Sequence, residues 1–202
     1  MYVARLLYPV KVLGPGDRIG IWLAGCNHKC KGCSNPELWE QKDEYLVSLD
    51  TVIKMIKSVA DKEKVDGFTI TGGDPLYQAD ELKELVLELT KISEDILVYT
   101  GYEYSDIKDR YPEIFENIAV LIDGKYIEDR NKQEILRGSD NQSIIILNDK
   151  YKNIYDEYMA SNISRIQNFT TKDGFISVGI HKPGYEADLD KKLTEKGMIK
   201  NG

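Results

Sequence analysis

Short apolar runs recur along the chain and alternate with stretches in which apolar residues fall at helical spacing. Nearly continuous runs rich in β-branched residues are typical of strands buried on both faces of a sheet. Five runs predict such strands: IGIWL (19–23), GFTIT (67–71), ILVY (96–99), AVLI (119–122) and IIIL (144–147).

The stretches between these runs predict helices. Ser48 is of a residue type that favours helix N-caps, and a second helix is expected from Asp80. A weaker helix carries several tyrosines near residue 155. The apolar positions of the three helices are Leu49, Val52, Ile53, Ile56 and Val59; Leu82, Leu85, Val86 and Leu89; and Tyr151, Ile154, Tyr155 and Tyr158.

This alternation of strands and helices predicts an α/β fold of repeated right-handed βαβ units with a largely parallel sheet. There are too few units for a complete eight-fold barrel. Small and polar residues follow four of the strands, and the carboxyl ends of parallel strands share one edge of a sheet, where ligands bind. The segments expected to converge there are Ala24-Gly25-Cys26, Gly72-Gly73-Asp74-Pro75, Thr100-Gly101 and Asp123-Gly124-Lys125.

Composition excludes several classes of function. The 202 residues suffice for one well-buried domain, and 34 acidic against 27 basic side chains give a formal charge of -7, which would repel a nucleic-acid backbone. No apolar run approaches the roughly 18 residues that a membrane span needs, and the first residues lack the features of a secretion signal. We therefore expect a cytoplasmic protein with free thiols and neither nucleic-acid nor membrane partners.

All three cysteines of the chain lie in GCNHKCKGC, residues 25–33. A zinc site with His28 as fourth ligand is one interpretation, although zinc ligands usually come from two separated segments. A [4Fe–4S] cluster suits the spacing better, because each cysteine binds a different iron. Three cysteines would leave the fourth iron open to a substrate or cofactor.

The stretch TITGGDPL could bind a ligand that coordinates the open iron. Gly72 and Gly73 let the backbone approach a ligand closely, and the carboxylate of Asp74 can accept an ammonium group. Alone, the stretch could equally be an ordinary turn between a strand and a helix. Beside an open cluster, it favours a ligand with amino and carboxylate groups.

C-x3-C-x2-C followed by a Gly-Gly-acid turn resembles the radical S-adenosylmethionine superfamily. The finer pattern is similar to the activating proteins of anaerobic (class III) ribonucleotide reductases, over roughly residues 2 to 147. Gly32 stands before the last cysteine, where most of the superfamily has an aromatic residue. The motifs that carry the resemblance are GPGDR, GCNHKCKGCSNPELW, TGGDPL, YTGYEY, LIDGKYI and RGSDNQ.

The resemblance implies an incomplete (β/α) barrel of the radical S-adenosylmethionine type. It also implies reductive cleavage of S-adenosylmethionine to a 5′-deoxyadenosyl radical that abstracts hydrogen from a glycine of the anaerobic reductase. A flavodoxin- or ferredoxin-type protein would supply the electron. Cys26, Cys30 and Cys33 would hold a [4Fe–4S] cluster, and the expected contacts of S-adenosylmethionine are Gly32, Ser34, Gly72, Gly73, Asp74, Thr100, Asp123 and Lys125.

Three alternatives stay open at this point. The chain could activate a different glycyl-radical enzyme, such as one of the pyruvate formate-lyase type. It could also be a radical enzyme that acts on a small molecule, or a non-catalytic iron–sulfur or zinc module. The first two share the cofactors, whereas the third predicts no affinity for S-adenosylmethionine.

We expect a core domain over residues 1–160 and a C-terminal extension over 161–202 that packs on it. The extension carries no motif of the family and predicts two strands around Asp173-Gly174 followed by a short helix that ends at Gly197. It is too small to be stable alone. It either covers an exposed side of the barrel or docks the partner through His181-Lys182-Pro183-Gly184.

Overall fold

The computed structural model describes residues 1–161, 166–171 and 174–195. Its largest element is a six-stranded sheet in which the strands lie side by side in chain order. The strands are β1 (Val3–Val10), β2 (Arg18–Leu23), β3 (Gly67–Gly72), β4 (Ile96–Tyr99), β5 (Val120–Asp123) and β6 (Ser143–Ile146).

The four central strands, β2 to β5, are parallel, and the two outer strands run antiparallel to their neighbours. All five predicted strands are observed, and their bounds differ from the prediction by at most one residue. The regular βαβ alternation does not extend to β6. The connection from β5 to β6 holds only a 3-10 turn, Glu128–Arg130, and without a crossover helix the two strands pair antiparallel.

Five helices belong to the core: α1 (Leu49–Ala60), α2 (Ala79–Leu89), α3 (Tyr104–Ile107), α4 (Pro112–Phe115) and α5 (Lys152–Ala160). The N-cap prediction is confirmed, because Ser48 accepts a hydrogen bond from the amide of Thr51. The main hydrophobic core packs α1 and α2 against one face of the sheet. Fully buried members of this core include Ile21, Phe68, Ile70, Leu82 and Leu85.

A polar cluster fills the amino-terminal half of the other face. The guanidinium of Arg18, which is 0% exposed, donates to Asp95 Oδ2 at 2.7 Å and to Thr69 Oγ1 at 2.8 Å. Tyr155 of α5 donates its hydroxyl to Asp95 Oδ1 at 2.7 Å. Because these groups satisfy one another, the charges tolerate burial. We call Arg18, Thr69, Asp95 and Tyr155 the amino-end plug.

The C-terminal extension forms an antiparallel hairpin of β7 (Ile166–Thr171) and β8 (Gly174–Gly179), followed by α6 (Tyr185–Glu195). Asp173 and Gly197, which were predicted as a turn residue and a helix stop, lie outside the described residues.

The hairpin packs on the same face of the sheet as the amino-end plug. Val178 is 3% exposed and belongs to an apolar cluster with Val10, Leu13 and Trp22. The side chain of Gln167 binds β1 and the residue after it: Nε2 donates to the carbonyl of Pro9 at 2.7 Å, and Oε1 accepts from the amide of Lys11 at 2.9 Å. The extension therefore contacts the first strand of the chain.

None of the helices in the described ranges combines the length and apolar character that crossing a membrane requires.

Replacing Arg18 by an uncharged residue should lower the free energy of unfolding. Arg18→Met leaves Asp95 as a buried carboxylate without its cation, which costs about 3 to 5 kcal/mol of unfolding free energy. The matched control is Lys83→Met, which breaks the exposed ion pair with Glu113 (2.8 Å) and should cost at most about 1 kcal/mol. Urea denaturation measures both variants, and equal stabilities would contradict the importance of the plug.

Candidate functional site

The cysteine loop follows β2, and main-chain hydrogen bonds to Leu38 and Trp39 hold its first residues in place. The amide of Gly25 donates to the carbonyl of Leu38 at 2.8 Å, and that of Cys26 donates to Trp39 at 2.9 Å. Gly25 has φ of 106°, a conformation that favours glycine. These contacts fix the first cysteine against the end of the sheet.

The three thiols are free, and main-chain amides point at two of them. The amide of His28 donates to Cys26 Sγ and that of Asn35 to Cys33 Sγ, both at 3.4 Å. Burial raises the pKa of the Cys26 and Cys30 thiols above the ordinary value. A thiol in this loop must therefore lose a proton to become a metal ligand, and the amides stabilise the thiolate that forms.

The glycine turn after β3 contacts the cysteine loop through its backbone. The amide of Gly73 donates to Leu23 O at 2.7 Å, and that of Asp74 donates to Gly25 O at 2.8 Å. A Cβ on Gly73 would lie 2.4 Å from Gly25 O, and one on Gly72 would lie 2.2 Å from Leu23 O. Neither position has space for a side chain, so both glycines are needed to bring the two loops together.

Asp74 joins three loops through one buried carboxylate. The residue is 2% exposed. Its Oδ1 accepts from the amide of Leu76 at 2.9 Å, and its Oδ2 accepts from the amide of Gly101 at 2.9 Å. The hydroxyl of Thr100 lies 3.1 Å from both oxygens, and His28 Nε2 lies 2.8 Å from Oδ2. The carboxylate is therefore fully hydrogen-bonded within the protein.

The ring of His28 is committed to Asp74 and enclosed by the next loop. It meets the edge of the Tyr102 ring, with centroids 4.5 Å apart, and a Cβ on Gly101 would lie 2.4 Å from His28 Cδ2. Across the described ranges, no three His, Cys, Asp or Glu side chains form a group that could hold a metal ion. The contact with Asp74 gives His28 a structural partner and disfavours it as a zinc ligand.

A cavity of about 190 Å³ lies at the carboxyl end of the sheet, under the cysteine loop. All three cysteines line it, and so do Ser34, Gly73 and Thr100 from the set predicted to contact the cofactor. Gly124, from the loop after β5, lines the cavity as well, so the predicted convergence of the loops after β2, β3, β4 and β5 is observed. Residues 177–181 of the C-terminal extension close one side of this cavity.

A larger cleft of about 1050 Å³ opens beside this cavity. We call it the outer cleft. Gly32 lines the outer cleft, and six residues line both spaces: Cys33, Ser34, Asn35, Tyr126, Ser177 and His181. The two spaces thus meet at the third cysteine.

Four predicted cofactor residues are not among the residues that line either space: Gly72, Asp74, Asp123 and Lys125. Asp123 is buried and accepts from the amides of Tyr104 at 2.8 Å and Ser143 at 3.1 Å, while Lys125 is exposed. Through these contacts, Asp74 and Asp123 connect neighbouring loops. Their contact with a cofactor stays a prediction.

Sequence patterns did not identify Gln142, Tyr126 or Trp39 as cavity residues. Gln142 accepts from the amide of Gly138 at 2.8 Å and donates to the carbonyl of Gly124 at 2.9 Å, which orders the loop after β5. The indole nitrogen of Trp39 is buried and has no hydrogen-bond partner among the described residues. An acceptor group in the cavity would satisfy this donor.

Comparison with known proteins gives this site its class. Residues 12–145 match the family described as "4Fe-4S single cluster domain", so the chain is an iron–sulfur protein by family. Among curated proteins, it is 38% identical over 143 residues to the anaerobic ribonucleoside-triphosphate reductase-activating protein of Enterobacteria phage T4, covering 68% of this chain and 90% of that one.

Proteins of the same name from two bacteria are also similar. The Vibrio cholerae protein is 33% identical over 146 residues, covering 68% of this chain and 93% of its own length. The Escherichia coli K12 protein is 31% identical over 144 residues, covering 68% of this chain and 94% of its own. The chain belongs to the family of anaerobic ribonucleoside-triphosphate reductase-activating proteins, which confirms the resemblance found in the sequence.

Replacing Asp74 should destabilise the loops around the cavity. Asp74→Ala leaves His28, Thr100 and two main-chain amides without their acceptor, and we expect a loss of about 1 to 3 kcal/mol in unfolding free energy. The control is Asp109→Ala, which removes an exposed carboxylate and should change stability by less than about 0.5 kcal/mol. Urea titration of both variants tests this, and an unchanged Asp74→Ala variant would show that the carboxylate does not hold the loops.

Proposed function

We propose that this chain activates an anaerobic ribonucleotide reductase by generating a glycyl radical on it, using a [4Fe–4S] cluster and S-adenosylmethionine. One observation carries the proposal. In a member of the activating-protein family, three free thiols and a glycine turn line a single cavity at the carboxyl end of a parallel sheet. The curated relatives carry in their names the activation of anaerobic ribonucleoside-triphosphate reductase.

The donor set fits the two groups. Cys26, Cys30 and Cys33 would hold the cluster by one thiolate to each of three irons. When bound, the cluster supplies the electron that breaks a C–S bond of S-adenosylmethionine, giving methionine and a 5′-deoxyadenosyl radical that takes a hydrogen atom from the partner's glycine. The unsatisfied indole N–H of Trp39 fits an acceptor-rich cofactor.

The chain's own residues would hold and orient these groups. Main-chain amides already donate to the sulfurs of Cys26 and Cys33, which holds the loop in place around these two side chains. Gly73 and Thr100 provide a small polar wall without bulky side chains. If the ammonium group of S-adenosylmethionine binds Asp74, it takes a place on the carboxylate that His28 now occupies.

The volumes of the cavity and of the outer cleft indicate where a cofactor would lie. Pockets for small molecules usually measure about 300 to 1,000 Å³, and the cavity under the cysteine loop is smaller, at about 190 Å³. A nucleoside-sized ligand would therefore extend past Cys33 and Ser34 towards the outer cleft. This agrees with the expectation that Gly32 and Ser34 lie near the adenine.

Three further parts belong to the proposal. The six-stranded sheet would be the wall of an incomplete (β/α) barrel of the radical S-adenosylmethionine type, with residues 1–160 as its core domain. The electron would come from a flavodoxin- or ferredoxin-type protein. The location would be cytoplasmic, where a reducing environment keeps the three thiols free.

Replacing any one ligand should abolish the activity. Cys26→Ala, Cys30→Ala and Cys33→Ala should each lose reductive cleavage of S-adenosylmethionine and the [4Fe–4S] absorption after anaerobic reconstitution, because two thiolates do not retain the cube. Asn27→Ala changes an exposed residue of the same loop and should keep both. Full activity in any cysteine variant would end the cluster assignment. Cofactor cleavage without a radical on the reductase would point to another partner.

Trp39 gives a finer test of the cavity. Trp39→Phe removes the indole N–H while keeping an aromatic ring, and we expect weaker binding of S-adenosylmethionine by about 0.5 to 1.5 kcal/mol. Titration of the reconstituted protein measures the affinity, and iron content shows whether the cluster is retained. Unchanged affinity at unchanged iron content would exclude a hydrogen bond from Trp39 to the cofactor.

A further inference from the structure

The C-terminal extension forms a wall of the outer cleft, although it lies beyond the residues that match the family. The family match ends at residue 145, whereas β7 begins at Ile166. Residues 174–177, at the start of β8, line the outer cleft together with α6 and the loop between them. This surface therefore lies outside the domain that matches the family, and it borders the third cysteine of the site.

The outer cleft runs along the edge of β8. Successive side chains of a strand point to opposite faces, so a space that touches only one face meets every second residue. Four consecutive residues of β8, Gly174 to Ser177, line the outer cleft, whereas Thr170 alone does so from β7. In the part of the chain that the structure describes, β7 is the single strand paired with β8. The edge of β8 that borders the outer cleft can accept another strand.

Helix α6 presents an apolar stripe to the same space. Tyr185, Leu189 and Leu193 are spaced four residues apart, which places them on one side of the helix, and all three line the outer cleft. Each is partly exposed. A segment lying along β8 would have these side chains beside it.

The mouth between the outer cleft and the inner cavity carries a group of polar side chains. Ser177 Oγ lies 2.9 Å from His181 Nε2 and 3.1 Å from the hydroxyl of Tyr185, and the rings of His181 and Tyr185 are 4.4 Å apart. Ser177 and His181 line both spaces, as does Cys33 on the opposite loop. These hydroxyl and imidazole groups can bind main-chain amides or carbonyls.

The charged residues that line the outer cleft are already paired. Arg5 pairs with Glu37, Lys182 pairs with Asp188, and Lys31 contacts Glu128 at 3.1 Å. The outer cleft therefore offers main-chain hydrogen bonds, an apolar stripe and neutral polar groups, with no unpaired charge for a ligand among its lining residues. These features match an uncharged polypeptide in extended conformation.

We propose that the outer cleft binds the glycine-bearing segment of the partner reductase as an added strand on β8, with its apolar side chains on the stripe of α6. This rests on the proposed function. The segment would bring its glycine to the mouth formed by Ser177, His181 and Cys33. The extension is then a recognition element for the protein substrate, and the hairpin also closes the cofactor cavity.

The test measures binding of a fluorescein-labelled synthetic peptide that spans the glycine segment of the anaerobic ribonucleoside-triphosphate reductase of the same organism. Leu189→Glu places a charge in the apolar stripe and should weaken binding to the reconstituted protein by about tenfold or more. The control is Lys191→Glu on the same helix, which is exposed, makes a larger charge change of the same sign, and should leave affinity unchanged. Circular dichroism verifies that both variants are folded.

Tyr185→Phe keeps the fold even if Leu189→Glu does not, because it removes one hydroxyl. We expect a several-fold loss of peptide affinity and fewer glycyl radicals, measured by electron paramagnetic resonance, for each S-adenosylmethionine cleaved. Wild-type affinity and radical yield in both variants would overturn the inference, while a wild-type protein that cleaves S-adenosylmethionine and forms no radical on the reductase would instead overturn the proposed function. A concentration-dependent dimer that Leu189→Glu abolishes without affecting peptide binding would assign β8 and α6 to a second copy of this chain.

Discussion

The carboxylate of Asp74 is the contact on which the site depends. It lies at the end of β3 and binds groups from the loop that carries the cysteines and from the loop after β4. The residues of those loops that contact Asp74 lie outside helices and strands. Because the carboxylate is buried and accepts several hydrogen bonds at once, losing any one partner leaves a strained or unsatisfied group. The three loops are therefore positioned together.

The face of the sheet opposite α1 and α2 is filled at one end and open at the other. At the amino ends of the strands, the plug around Arg18 fills the space with groups that satisfy one another. At the carboxyl ends, small residues such as Gly73, Thr100 and Gly124 border a cavity under the cysteine loop. The cavity for a ligand therefore lies at the carboxyl end of the strands. This agrees with the general placement of ligands in sheets of parallel strands.

Local patterns predicted the parts of this structure that depend on neighbouring residues. The β-branched runs located five strands, and the position of Ser48 located a helix start, because burial and capping act over a few residues. The spacing of the cysteines and the glycine turn gave the chemistry and the family. The first strand, Val3–Val10, was missed, since it is mostly half-buried and its apolar residues are interrupted by Arg5 and Pro9.

Contacts between distant residues could not be predicted in this way. His28 and Asp74 are 46 residues apart, and nothing in either segment shows that the imidazole would meet the carboxylate. Asp74 was predicted to accept the ammonium group of a cofactor, and Asp123 was assigned by its place in a family motif. Both positions also suit a carboxylate that accepts main-chain amides. The contribution of Gln142 arises within the loop between β5 and β6, where its side chain joins Gly138 to Gly124.

The contact between Gln167 and Pro9 joins residues 158 positions apart, and it has a consequence for the order in which a ribosome makes this protein. Chains emerge from the amino terminus, so the cysteines and the glycine turn are available long before the hairpin exists. Until residues 177–181 appear, the cavity lacks one wall and the thiols are open on that side. Iron and sulfide can therefore enter a site that the end of the chain later closes. Cluster assembly during synthesis would meet less obstruction than repair of a finished molecule.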